Sequence, residues 1–214
     1  MKDYELRKFG FAAPPNARDI SELHAALLPA SPITLLGPRF REEFYYKDLP
    51  EMGLIFGSVA YVAGRAVGFV AATHDSDGFM AAAVARKPLR VAWIVATALL
   101  ADPRRIAAVR EAVRIKRGRE RSAEGLRKAE ILSIGVLPEY RSGSGLNIAR
   151  DLVQSALDLL QASGAARVCA VVDADNQQSL RFFAKLGFRL SRAQLPGWRR
   201  PSVEIVWETG WDRE

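Results

Sequence analysis

Apolar positions along the chain fall into two periods. Short apolar or alternating runs, the signature of strands, occur at Asp3–Phe9, Leu54–Val62, Ala66–Thr73, Glu130–Val136, Arg167–Val172 and Val203–Trp207. Ala63-Gly64-Arg65 between the second and third runs marks a hairpin turn. The helical period appears first over Ile20–Leu28, where Leu23, Leu27 and Leu28 form the buried face. Asp19 is read as its N-cap, with Glu22 three residues on, and Pro29 and Pro32 end it. A second helix is expected over Leu36–Leu49, with Phe40, Phe44, Tyr45 and Tyr46 in the core or a cleft wall. A third, long and amphipathic, follows Ser142-Gly-Ser-Gly145 and runs to about Ser163. A short one carries Phe182 and Phe183, and Leu186-Gly187-Phe188 closes it with a glycine C-cap and a buried aromatic. Strands separated by helices predict an α/β chain with a mixed sheet covered on both faces.

Residues 79–128 break that rhythm. Phe79–Val84 and Pro88–Leu100 read as helical, and Asp102-Pro103 opens another helix. In that helix Ile106, Val109 and Val113 make an apolar stripe, while Arg110, Arg114, Arg117 and Arg121 recur along another face. Gly118–Gly125 is expected to link it to the next strand. Residues 86–128 hold thirteen Lys or Arg against four Asp or Glu, a net of +9; the rest of the chain carries 18 basic and 20 acidic residues, a net of −2. The excess positive charge therefore sits in this one helical segment. It suits contact with an anionic partner (coenzyme phosphates, an acidic substrate or a membrane surface) or a solvated arginine face on a lid or dimer arm.

At 214 residues the chain fits a single domain, with 79–128 as a helical basic insertion between strands 3 and 4. One cysteine, Cys169, excludes an internal disulfide framework, and its apolar surroundings make it a buried structural thiol. Phe9-Gly-Phe-Ala-Ala13 is too short for a signal-peptide core, and Val91–Ala101 is about half the length a membrane span needs, so no transmembrane segment and a cytoplasmic location are expected. Cys/His clusters for a metal and a Gly-x-Ser-x-Gly elbow are both missing from the sequence. The two histidines are His24 and His74, the latter placed after the hairpin where it could face a cleft.

Candidate chemistry concentrates between Glu130 and Phe188. A strand leading through a glycine-bearing turn into a helix aims backbone N–H groups at a bound anion, usually a phosphate. The strand Glu130–Val136, the run Leu137-Pro-Glu-Tyr-Arg141, the glycine turn, and Asn176 followed by Phe182-Phe-Ala-Lys-Leu-Gly-Phe188 together resemble the GNAT N-acetyltransferases. The specific part of the resemblance covers residues 130–188.

That resemblance implies a mixed central sheet of about seven strands flanked by helices. It implies acetyl-CoA as co-substrate, no metal, and transfer of the acetyl group to an amine of a small molecule or protein by direct attack in a ternary complex. Backbone groups of Ile134 and Val136 would hold the pantetheine arm, and the Ile134 region would stabilise the oxyanion. Ser142, Gly143, Ser144, Gly145, Leu146 and Asn147 would cradle the pyrophosphate beside Arg141. Asn176 and Phe183 would line the coenzyme arm, and Glu130 would act as general base.

This chain departs from the family pattern twice. The loop reads Arg141-Ser-Gly-Ser-Gly-Leu-Asn147, so either Gly143 and Gly145 are the family's pair with one residue missing, or Gly145 and Asn147 stand in with one added. Phe183 occupies the place of a tyrosine acid; Ser179, Tyr140 or water takes its role, or the coenzyme leaves as thiolate. The basic segment is expected to shape acceptor choice or to form a homodimer contact, and nucleic acid is not expected as a partner. The alternative function is a non-catalytic acyl-CoA sensor, or a basic adaptor on nucleic acid or an anionic surface.

Overall fold

The computed structural model describes residues 4–120, 128–141, 146–195 and 200–209. Seven strands form one mixed sheet in the order β1-β2-β3-β4-β5-β7-β6. β1 (Glu5–Phe9), β2 (Phe56–Val62), β3 (Arg65–Thr73) and β4 (Ala129–Val136) make an antiparallel run. Ala63 (φ 47°) and Gly64 (φ 81°) both turn left-handed between β2 and β3, the two-residue geometry whose twist matches flanking strands. β5 (Arg167–Asp173) lies parallel to β4, which the crossover helix α7 (Ile148–Ala162) makes possible. β7 (Ser202–Glu208) pairs antiparallel with β5, and β6 (Arg189–Arg192) edges β7.

Each face of the sheet has its own core. On one, α7 and α8 (Gln177–Lys185) bury Ile148, Leu152, Ala156, Leu160 and Phe183 against Val70, Ile131, Ala170 and Ile205. Cys169 is buried, and its burial pushes the thiol up to about 11, which makes it inert. Gly187, at φ 89°, follows the last turn of α8, and Phe188 is buried behind it.

The opposite face carries α1 (Ala17–Leu27), the short α2 (Pro32–Leu35), a π-helix (Phe40–Asp48) and the single turn α3 (Leu49–Glu51). Two expectations are corrected here. The cap of α1 is Asn16, whose Oδ1 accepts the Asp19 N–H at 3.5 Å; Asp19 instead sits in the first turn, where a carboxylate complements the positive helix end, and accepts the Tyr61 hydroxyl at 2.9 Å. The segment expected as an α-helix winds as a π-helix over Phe40–Asp48. Phe44, Tyr45 and Tyr46 are all buried, a wider arc than one 3.6-period stripe covers, and the wider π winding accompanies it. α1 presses directly on β4: a side chain at Gly135 would place its Cβ 2.7 Å from Leu27 Cδ1.

Three helices connect β3 to β4: α4 (Phe79–Arg86), α5 (Pro88–Ala101) and, after a 3-10 turn at Pro103–Arg105, α6 (Ile106–Glu120). Gly118 lies inside α6, so the expected link does not begin there, and residues 121–127 lie outside the described residues. The expected stripe on α6 is also corrected. Val109 packs against the core as expected, but Ile106 and Val113 are exposed, and the buried side presents Ala108 and Glu111, because docking against α2 sets which face turns inward.

Polar anchors hold this segment to the body. Asp48, almost wholly buried, accepts from Lys87 Nζ at 2.8 Å and Arg90 Nε at 2.5 Å. Arg86 donates to the Met52 carbonyl, and the Arg105 guanidinium lies against Gly37, where a side chain would collide with it. Asp48→Asn is therefore expected to loosen the segment. The two cations are partly solvated, so the cost is about 1–2 kcal/mol. Denaturant titration together with limited proteolysis checks this: unchanged cleavage within 79–120 would show that Asp48 is not the anchor.

Candidate active site

β4 and β5 pair only at Ala129↔Val168, Glu130↔Cys169 and Ile131↔Ala170. Beyond Ile131 the two parallel strands part. At Leu132 the register of β4 against β3 also shifts, with Ala72 opposite Ile131 and Ala71 opposite Ser133. The bulge adds a residue to β4 and bends it locally.

Strand chemistry fixes what faces the opening. Leu137 N–H donates to the Val67 carbonyl at 2.8 Å. Backbone groups alternate sides along an antiparallel ladder, so those of Gly135 and Leu137 point to β3. The N–H and C=O of Ile134 and Val136 consequently point toward the gap beside β5. The Val136 carbonyl accepts from Arg141 Nε at 2.8 Å, which folds the arginine back over the end of the strand.

A cavity of about 750 Å³ occupies the gap. It is lined by the strand residues from Glu130 to Ile134 on one side and from Ala170 to Asp173 on the other. α8 contributes Asn176, Ser179 and Phe183, and the α1–α2 connection contributes residues 27–32. Glu111 reaches the wall from α6. Arg200 Nη1 contacts Asp173 Oδ2 at 3.4 Å along one rim.

Two carboxylates in this wall are nearly out of water: Glu130 is 2% exposed and Glu111 is 7% exposed. Glu130 is thus not the surface residue that a strand start would ordinarily present. Glu111 was not legible as a site residue. Its signal was an acid in an arginine-rich helix, three residues after Ala108 and on the same side.

The remaining candidates divide as follows. Asn176 lines the cavity and caps α8, its Oδ1 accepting the Ser179 N–H at 3.1 Å. Phe183 is buried, edge-on to Phe188 at 4.9 Å, with one edge on the cavity. Ser179 lies one helical turn before it and also lines the cavity, whereas Tyr140 packs into the core near α7. Asn147 precedes α7 without a side-chain cap bond, at the helix end where N–H groups suit an anion, and Leu146 packs on the core beside it. Ser142, Gly143, Ser144 and Gly145 lie outside the described residues. His74 stacks on Phe56 at 4.4 Å and is not among the described residues lining the cavity. The described residues include no group of three or more His, Cys, Asp or Glu able to hold a metal ion.

His24 stands behind the part of the wall formed by Ser31. It is 1% exposed, its Nδ1 lies 2.5 Å from the Tyr46 hydroxyl, and its Nε2 lies 2.7 Å from Ser31 Oγ. Burial first, and the charge of Arg41 second, push its pKa down to about 3, so it is a neutral strut. Ser31 and Leu28, which line the cavity, are tied together by Thr34: Ser31 Oγ donates to Thr34 Oγ1, which donates to the Leu28 carbonyl.

Solved structures share the whole architecture at low sequence identity. The PaiA N-acetyltransferase of Thermoplasma acidophilum, in complex with coenzyme A, aligns over 96% of this chain and 98% of its own, with 13% identity and a TM-score of 0.54. NAA60 of Arabidopsis thaliana, in complex with acetyl-CoA, aligns over 97% and 99%, with 16% identity and a TM-score of 0.55. An apo-form mutant of agmatine N-acetyltransferase aligns over 96% and 100%, with 18% identity and a TM-score of 0.56. No curated protein matches the sequence. The model of the acetyltransferase (GNAT) family matches residues 20–188. With that match over most of its length and a seven-stranded sheet that opens between β4 and β5, the chain belongs to the GNAT family of acetyltransferases.

Proposed function

We propose that this protein transfers an acetyl group from acetyl-CoA to an amine by direct attack in a ternary complex. The observation that carries the reading is the end of β4–β5 pairing at Ile131, which leaves the parted strands facing a cavity of about 750 Å³. The residues present fit the coenzyme. The amides of its arm find backbone partners at Ile134 and Val136 along the open strand, and its anionic end finds the start of α7 and Arg141.

In this reading Glu130 takes a proton from the acceptor ammonium, directly or through water, and the neutral nitrogen attacks the thioester carbonyl. The N–C bond forms, a backbone N–H near Ile134 holds the oxyanion, and the C–S bond breaks to release the coenzyme as thiol or thiolate. Phe183 cannot supply a proton to the sulfur. In this reading Ser179, which lines the cavity on the same helix, supplies it.

Thermal unfolding of the full chain with acetyl-CoA, followed by thiol release across an amine panel, tests the proposal. A coenzyme present at 100 times its Kd adds about 2.7 kcal/mol, a rise of several degrees, and at least one amine is expected to release thiol. Phe183 favours one competing reading, an acyl-CoA sensor, which predicts the thermal shift without thiol release from any amine. A basic adaptor predicts strongly salt-dependent DNA binding and no response to coenzyme.

A further inference from the structure

α5 runs for 14 residues and buries only Ile94 and Ala98. On its outer side Leu89 is 85%, Trp93 62% and Leu100 84% exposed, with Ala96 exposed between them. Positions 89, 93, 96 and 100 follow at spacings of four, three and four, so they form one apolar stripe along the helix. Scattered apolar residues on a surface need no explanation, but a helix-long stripe centred on tryptophan marks a surface that meets something.

Charge indicates what the partner is. The stripe belongs to the segment that carries net +9 in a chain otherwise at −2. Arg104, Arg110 and Arg114 are exposed on it, and the outer face of α6 interleaves Ile106, Arg110, Val113 and Arg114. A second copy of the chain would bring a second basic segment, with its own exposed Arg104, Arg110 and Arg114, against the first. A nucleic-acid duplex would meet leucine and tryptophan where its phosphates need cations. An anionic bilayer surface accepts both features at once, the apolar stripe at the headgroup–acyl boundary and the guanidinium groups among the headgroups. At 14 residues α5 is too short to cross a bilayer, and no described helix is long and apolar enough to do so. It would therefore lie in the plane of the surface.

We propose that the α5–α6 segment is an interfacial anchor that seats this protein on anionic phospholipid membranes. The anchors at Asp48, Met52 and Gly37 make the segment rigid with the body, so membrane contact through the stripe orients the whole protein. Because α6 also supplies Glu111 to the cavity wall, a seated segment holds the cavity close to the bilayer.

Vesicle co-sedimentation of the full chain tests this, using phosphatidylcholine vesicles and vesicles containing one part phosphatidylglycerol to two parts phosphatidylcholine. Partitioning onto the anionic vesicles is expected to exceed that onto neutral vesicles by roughly tenfold or more and to weaken with salt. The combined variant Leu89→Ser, Trp93→Ser, Leu100→Ser is expected to lose at least about tenfold of that binding. Its melting temperature should match the parent's, because all three side chains stand in solvent. The proposal fails if the parent does not bind anionic vesicles, or if the variant binds them as well as the parent, which would leave charge attraction alone. It also fails if the parent forms a dimer that the variant abolishes, or binds duplex DNA in a way the variant abolishes.

Discussion

Glu130→Gln is expected to lower kcat by about 10²–10⁴-fold, the range for removing a general base, while acetyl-CoA still raises the melting temperature as it does for the parent. The separation follows from where the residue sits. Glu130 belongs to the middle of the three residue pairs that join β4 to β5, just before the strands part. Its side chain reaches the cavity wall, and the residue is 2% exposed. The proposed coenzyme contacts lie farther along β4, on backbone groups of Ile134 and Val136 that the substitution does not touch. Glutamine keeps the volume and the hydrogen-bonding capacity of the side chain and removes only its ability to take a proton. Steady-state kinetics on whichever amine the panel identifies, with coenzyme thermal shifts alongside, checks both halves. A loss of less than threefold in kcat would assign the proton to another group or to solvent, and loss of the coenzyme shift would make Glu130 a structural residue.

Features that depend on a few adjacent residues were legible in the sequence. The hairpin follows from Ala63-Gly64 and the close of α8 from Gly187, because each is settled by local backbone geometry. The same logic failed narrowly at α1, where Asn16 and Asp19 both have cap chemistry and lie three residues apart. Asn16 prevails because the helix begins at Ala17, a turn earlier than the leucine pattern shows. Long-range packing was not legible. Three successive buried aromatics wind the Phe40–Asp48 segment wider than an α-helix, and docking of α6 turns Ala108 and Glu111 inward while Ile106 and Val113 face water. The cavity wall shows the limit most clearly. Glu130, Asn176 and Phe183 lie in the contiguous motif block, but residues 27–32, Glu111 and Arg200 reach the same space only through the fold.

The second large effect concerns the strut behind that wall. His24 bonds Tyr46 and Ser31 from a site with 1% exposure, and its pKa lies near 3 rather than the ordinary 6.5. Below pH 6.5 the unfolded chain takes up a proton on this side chain that the folded chain refuses. The stability tied to His24 is therefore fully present above pH 6.5 and is lost as pH falls from there toward 3, at about 1.4 kcal/mol per pH unit. Between pH 7 and pH 5, before most carboxylates titrate, the parent is expected to lose about 2 kcal/mol through this one group. His24→Gln has no such titration. It is expected to be less stable at pH 7, by about 1–3 kcal/mol, because the fully buried Tyr46 hydroxyl and Ser31 lose a well-placed partner. Its stability should nevertheless change far less between the two pH values. Urea denaturation of both proteins at pH 7 and pH 5 decides the matter through the difference in their slopes. Equal losses in parent and variant would show that His24 accepts a proton in place, and that the Ser31–His24–Tyr46 chain is not the acid-sensitive support of the cavity wall.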